Sequence, residues 1–88
     1  MKYHTKGVEA IDGDTFSTGS GKWIRLSGVN CPELGKYGSQ KAKVILAQLV
    51  EGKPITYQPV SKSYGRIVAN VWVDGKSVNN AMRRRGYK

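Results

Sequence analysis

The stretch Ser39-Gln40-Lys41-Ala42-Lys43-Val44-Ile45-Leu46-Ala47-Gln48-Leu49-Val50-Glu51 decides the architecture, because here the apolar residues take up helical spacing. Ala42, Ile45, Leu46 and Leu49 fall at i, i+3, i+4 and i+7 and make one helical face, while Lys41, Lys43 and Gln48 lie elsewhere on the surface. Ser39 is placed to cap the first turn, and Gly52 stands where a left-handed C′ residue ends a helix. This helix divides a set of short extended segments into three before it and two after it.

The three preceding segments are about Tyr3 to Ala10, Asp14 to Thr18 and Lys22 to Val29, the last two joined by the flexible turn Gly19-Ser20-Gly21. The two that follow are Pro54 to Val60 and Arg66 to Val73, where Ile67, Ala69, Val71 and Val73 alternate with more polar positions. Asp74-Gly75 then turns the chain. Ser77 is a good N-cap for a short second helix with Val78, Ala81 and Met82 on one face, and Arg83-Arg84-Arg85 falls in its last turn before Gly86. A three-strand meander, a helix, two strands and a C-terminal helix predict an α+β chain. The order suits a five-stranded OB-like barrel, with one helix between strands 3 and 4 and a short helix at the end. SH3-like barrels and other α+β folds share much of this periodicity.

Size and charge narrow the function. Eighty-eight residues of 9.7 kDa are read as one domain, 1–88, which excludes a multidomain enzyme and disfavours a large enclosed cavity. Fifteen Lys and Arg against six Asp and Glu give +9 at neutral pH, and an anionic polymer is the first partner to consider. One cysteine and one histidine exclude an intramolecular disulfide and the common zinc patterns. No run of 18 apolar residues occurs, and the opening Met1-Lys2-Tyr3-His4-Thr5-Lys6-Gly7 lacks the apolar stretch of a secretory signal. A soluble, unexported, monomeric chain with no membrane partner is expected. A chain beginning after a removed signal would read the same way.

Three segments carry groups suited to chemistry. Ala10-Ile11-Asp12-Gly13-Asp14-Thr15-Phe16 holds two acids, and its plain reading is a solvated Asp-Gly turn. Ile24-Arg25-Leu26-Ser27-Gly28-Val29-Asn30-Cys31-Pro32-Glu33 places an arginine within an apolar strand, then an amide and an acid; a structural salt bridge would account for the arginine. Ser63-Tyr64-Gly65-Arg66-Ile67 begins a strand with another arginine after an ordinary turn. Together they supply hard oxygen ligands for Ca²⁺ or Mg²⁺, a carboxylate to activate water, and two guanidinium forks for a phosphate. Arg83-Arg84-Arg85 reads as a solvated helix end, His4 as a surface residue, and Trp23 and Trp72 as barrel packing.

The ordered set Ile11-Asp12-Gly13-Asp14-Thr15, Ile24-Arg25-Leu26, Val29-Asn30-Cys31-Pro32-Glu33, Tyr64-Gly65-Arg66, Asp74-Gly75-Lys76 and Val78-Asn79 resembles the staphylococcal nuclease (thermonuclease-like) family from about Val8 to Gly86. The resemblance implies an OB-fold and a Ca²⁺-dependent phosphodiesterase acting with low sequence selectivity on single-stranded DNA and RNA. It implies Asp14 as a metal-ligating carboxylate, Asn30 where a second carboxylate usually stands, and Cys31 where a backbone carbonyl serves. It further implies Glu33 as the acid that contacts the metal through water and acts as general base, Arg25 and Arg66 as phosphate clamps, and Tyr64 as a nucleotide contact.

Two departures accompany the likeness. Asn30 keeps an oxygen but removes a negative charge beside the cation, which predicts weaker Ca²⁺ binding. Leu34-Gly35-Lys36 is short beside the long mobile loop of the best-known members, and those members continue past the position of Lys88 with segments that cover the nucleotide. The alternative to a nuclease is a noncatalytic OB-fold module for nucleic acid or a protein partner. The Asn30 change favours it, and retention of Glu33, Arg25 and Arg66 argues against it. A basic structural barrel explains the charge but leaves the motif set to chance.

Overall fold

The computed structural model describes residues 1–88. Strands β1 (Tyr3–Asp12), β2 (Thr15–Thr18) and β3 (Trp23–Leu26) form an antiparallel meander. Helix α1 (Ser39–Val50) follows, then β4 (Pro54–Ser63), β5 (Arg66–Val73), the two-residue β6 (Lys76–Ser77) and α2 (Val78–Arg84). β1 also pairs with β4 and β4 with β5, both antiparallel, and β5 returns parallel to β3 through Ile24↔Ile67, Arg25↔Val68 and Leu26↔Ala69. The circuit β1–β2–β3–β5–β4–β1 therefore closes, and the result is the five-stranded OB-type barrel. Closure satisfies strand edges that an open sheet would expose. β6, which the sequence does not announce, extends β5 beyond the barrel.

Alternation fills the interior. Ala10, Phe16, Ile24, Leu26, Ile55, Tyr57, Ala69 and Val71 turn inward from the strands, and Val29, Leu46, Val50, Val78 and Met82 complete a core of 13 buried residues. Helix α1 buries Ala42, Leu46 and Val50, and its Ile45 and Leu49 pack partly buried against the same core. No helix is long and apolar enough to cross a membrane.

Backbone contacts fix how α1 meets the barrel. Gly7 lies so close to the end of α1 that a β-carbon there would overlap the Val50 carbonyl, and the two segments exchange the bonds Gly7 N–H to Lys53 O and Gly52 N–H to Gly7 O. β1 shifts register between Gly7 and Glu9 and again between Ala10 and Asp12. Between these irregularities the Ala10 N–H donates to the Glu51 carboxylate at 2.9 Å, so the helix end satisfies a strand donor.

Three local expectations change. Gly38, at φ 84°, is the N-cap of α1 and no side chain caps it; Ser39 is already the first helical residue and is buried. β3 ends at Leu26 instead of Val29, because Gly28 at φ 70° turns the chain away. Trp23 is 44% exposed and does not belong to the core. By contrast, Ser77 Oγ accepts from the Asn80 N–H at 3.1 Å, as an N-cap should.

Asn79 ties α2 to the barrel. Its Oδ1 accepts from the Val71 N–H at 2.8 Å, and its Nδ2 donates to Ser27 O at 2.9 Å and Ala69 O at 3.1 Å. Such a fully bonded buried amide leaves no polar group unsatisfied there. Arg83 acts on the same loop from the next turn of α2, donating to Ser27 O at 2.8 Å, Gly28 O at 3.2 Å and Asn80 Oδ1 at 2.7 Å. Arg83 is thus bound, not solvated, and the chain leading to Asn30 and Glu33 leaves the barrel from an anchored point.

Candidate functional site

Three pieces of backbone meet at one rim of the barrel: the turn between β1 and β2, β3 with the loop after it, and the start of β5. The turn Asp12-Gly13-Asp14 is seated on its surroundings through Gly13. A β-carbon at Gly13 would stand 2.8 Å from both Cβ and Sγ of Cys31 and 2.5 Å from Cβ of Ala42, so only glycine lets the turn approach α1 this closely. Within the turn the Asp14 N–H donates to Asp12 Oδ1 at 3.1 Å.

Asp14 is the hub. Its Oδ1 accepts from the Thr15 hydroxyl at 3.0 Å, and its Oδ2 lies 3.5 Å from Arg25 Nη2, the single ion pair of the chain. The same Arg25 nitrogen donates to Asn30 Oδ1 at 3.0 Å, while Nη1 donates to the Leu26 carbonyl at 3.1 Å. From β5, Arg66 Nη1 reaches Thr15 Oγ1 at 3.4 Å and its Nε reaches Ser63 O at 3.5 Å. Asp14, Arg25, Asn30 and Arg66 are therefore one connected cluster, joined through Thr15. Parallel pairing of β3 with β5 makes the convergence possible, since it sets the two arginine-bearing strands side by side.

Electrostatics at the hub are tense. Burial pushes the Asp14 carboxyl up to about 6, helped by its hydrogen bond to Asp12 and by the Asp12 charge, and opposed by the Thr15 bond and Arg25. Burial likewise pushes the Cys31 thiol up to about 12, with the Asp14 and Asp12 charges adding to it. A thiol raised this far stays protonated at neutral pH and is a poor nucleophile.

Glu33 and Tyr64 make no side-chain bond to this cluster. Glu33 is exposed, its carboxylate bonds no protein group, and only its backbone carbonyl is engaged, by the Lys36 N–H at 2.9 Å. Tyr64 is 96% exposed in the turn between β4 and β5, two residues before Arg66. Asp12 and Thr15 are the participants that sequence reasoning passed over. Both lie in the Asp-Gly-Asp-Thr string, where an Asp-Gly turn is sufficient explanation for the first acid. Nothing in the sequence signals Arg83, whose carbonyl partners are 55 and 56 residues away.

The donor set has a definite character. No group of three or more His, Cys, Asp or Glu side chains converges. The groups present are hard oxygens: Asp14 Oδ2 and Asn30 Oδ1 both meet Arg25 Nη2, and the Asp12 carboxylate lies beside Asp14 in the same turn. A hard divalent cation suits such donors, and its charge would favour the ionised Asp14 that burial and, less strongly, the neighbouring Asp12 disfavour. The largest depression in the molecule, about 760 Å³, lies elsewhere, between Leu49, the Asp74-Gly75 turn and Arg84, and includes none of these residues.

A closed OB-type barrel with carboxylates and arginines gathered at its rim is the class that fold and site define. The chain belongs to the staphylococcal nuclease homologue family, whose model matches residues 23–88. That span includes Arg25, Asn30, Cys31, Glu33, Tyr64 and Arg66, whereas the Asp12-Gly13-Asp14 turn precedes it and joins the site on geometry. The chain is also 34% identical over 64 residues to a protein of Oryza sativa subsp. japonica described as a probable staphylococcal-like nuclease, CAN1. The match covers 72% of this chain and 19% of that protein, so the chain spans about a fifth of that relative's length.

Proposed function

We propose that this single OB-fold unit is a calcium-dependent nuclease that hydrolyses phosphodiester bonds of DNA and RNA with low sequence selectivity. One observation carries the reading: hydrogen bonds and one ion pair join Asp14, Arg25, Asn30 and Arg66 into a single cluster at an open rim. Family membership supports it. Asp14, the Asn30 amide and the Cys31 carbonyl would hold Ca²⁺, with Asp12 adding charge beside them. A bound cation supplies positive charge to a phosphate that approaches two carboxylates.

The chain's own groups account for the rest. Arg66 has no carboxylate partner, so its guanidinium is free to meet a phosphate oxygen. Arg25 exchanges its long contact with Asp14 for a second phosphate oxygen, and the two forks stabilise charge that grows as the P–O bond breaks. Glu33, exposed and unbonded, accepts the proton of the attacking water at its carboxylate. Tyr64 offers an open ring to a base. Such a site reads phosphate in preference to base edges, which accounts for low selectivity.

Single-stranded DNA incubated with the protein in Ca²⁺ and in EDTA, beside Glu33→Ala, tests this. Cleavage that requires both Ca²⁺ and Glu33 is expected. The second reading, a noncatalytic binding module, is favoured by the neutral Asn30, which leaves one carboxylate fewer beside a cation. Salt-sensitive binding without cleavage would decide for it.

A further inference from the structure

The barrel has a second surface that the proposed reaction does not use, and it begins where Arg66 ends. Two shallow depressions of about 240 and 250 Å³ share Lys22, Lys62 and Ile67 as common walls. The first runs to Gly65 and Arg66; the second passes Pro59 and Ser61 to reach Tyr3 and Tyr57. Shared walls make these one groove, leading from the candidate reaction centre to an aromatic pair.

Topology explains why these residues meet. Lys22 immediately precedes β3, and the Ile24↔Ile67 pairing brings it beside the start of β5. Lys62 faces Ile67 directly across β4 and β5, and Tyr3 faces Tyr57 across β1 and β4. The two tyrosine rings stack with centroids 5.6 Å apart at 30°. Tyr3 is 44% exposed, so the stack presents an outer ring to solvent over a nearly buried one. Neither Lys22 nor Lys62 has a carboxylate partner, and no acid lines the groove.

We propose that Lys22, Lys62 and Tyr3 form an accessory site for the part of a single-stranded nucleic acid that extends beyond the phosphate held at Arg66. Unpaired cations in a groove track phosphates, and an open aromatic ring stacks on a base. A base can offer its face only when unpaired, which selects a single strand over a duplex. This inference rests on the proposed nuclease centre for the position of the scissile phosphate. Its consequence is that affinity grows with strand length.

The test measures binding in EDTA, where no cleavage intrudes, by fluorescence anisotropy with a trinucleotide, a 12-residue oligothymidylate and a duplex of equal length. Wild type binds the long strand more tightly than the trinucleotide. Lys22→Gln with Lys62→Gln weakens the long strand by about tenfold and lowers its salt slope by about 1.4, at roughly 0.7 for each single-strand phosphate no longer neutralised. Tyr3→Ala weakens it by at least about fivefold, the lower end of a stacking contribution. The control Lys41→Gln removes an exposed charge outside the groove and binds as wild type, and Lys22→Arg with Lys62→Arg restores the long-strand affinity while melting curves monitor folding. Equal losses on the trinucleotide and the long strand, equal losses on the duplex, or no loss at all would each overturn the proposal. The companion cleavage assay in Ca²⁺ separates the two readings. Length-dependent binding without cleavage defeats the nuclease and keeps the groove; cleavage without length dependence does the reverse.

Discussion

Asp14 is 13% exposed beside a second carboxylate, and both conditions disfavour its ionised form. With the carboxyl raised from 3.8 to about 6, the folded chain binds a proton more tightly than the unfolded chain does. Its stabilising contribution is full below pH 3.8 and is lost as pH rises through about 6. In metal-free buffer, Asp14→Asn is therefore expected to gain in melting temperature relative to wild type as pH goes from about 5 to about 7. Parallel melts that stay equally spaced would contradict the assignment. A cation needs the ionised carboxylate, so apparent Ca²⁺ affinity, read by calorimetry, should fall as pH falls through about 6. Asn30 belongs to the same balance: from the loop after β3 it accepts from Arg25 without adding a third negative charge beside that guanidinium.

At the scale of elements, the barrel was legible wherever burial imposes a period. Ile67, Ala69 and Val71 alternate, and Ala42 and Leu46 recur at helical spacing, because one face of each element meets the core. The Asp14–Arg25–Asn30 geometry, the Arg83 clamp and the Gly38 cap were not legible, since they depend on bonds between side chains and distant backbone that leave no periodic trace. Gly7 shows how a close approach of this kind sets stability. Gly7→Ala would drive α1 from β1, costing on the order of 1–3 kcal/mol, and urea melts should show it. The turn between β4 and β5 makes a different case. Tyr64 and Gly65 both have positive φ, the type I′ pattern that Asn-Gly satisfies easily and tyrosine does not. Tyr64→Asn should raise stability by up to about 1 kcal/mol while weakening oligonucleotide binding. Loss of stability in this variant would show that the ring supports the turn.

Across the whole molecule, four of the six acids are committed locally and the basic residues are mostly free. Glu51 satisfies Ala10, Asp74 forms a turn with positive φ, and Asp12 and Asp14 share the rim, leaving Glu9 and Glu33. With one ion pair for a net charge of +9, repulsion among Lys and Arg opposes the compact state. Arg83 is an exception, because its charge is bonded into the Ser27–Gly28 loop. Salt should consequently act in opposite directions on the two properties of this barrel. Screening reduces self-repulsion and raises the melting temperature, while the same screening and the loss of counterion release weaken nucleic-acid binding. Thermal melts and oligonucleotide titrations at about 50 and about 500 mM NaCl, the Debye length shrinking from roughly 14 to roughly 4 Å, measure both. A melting temperature that falls with salt would mean that local pairs such as Asp14–Arg25, and not the diffuse positive field, dominate the electrostatics of the fold.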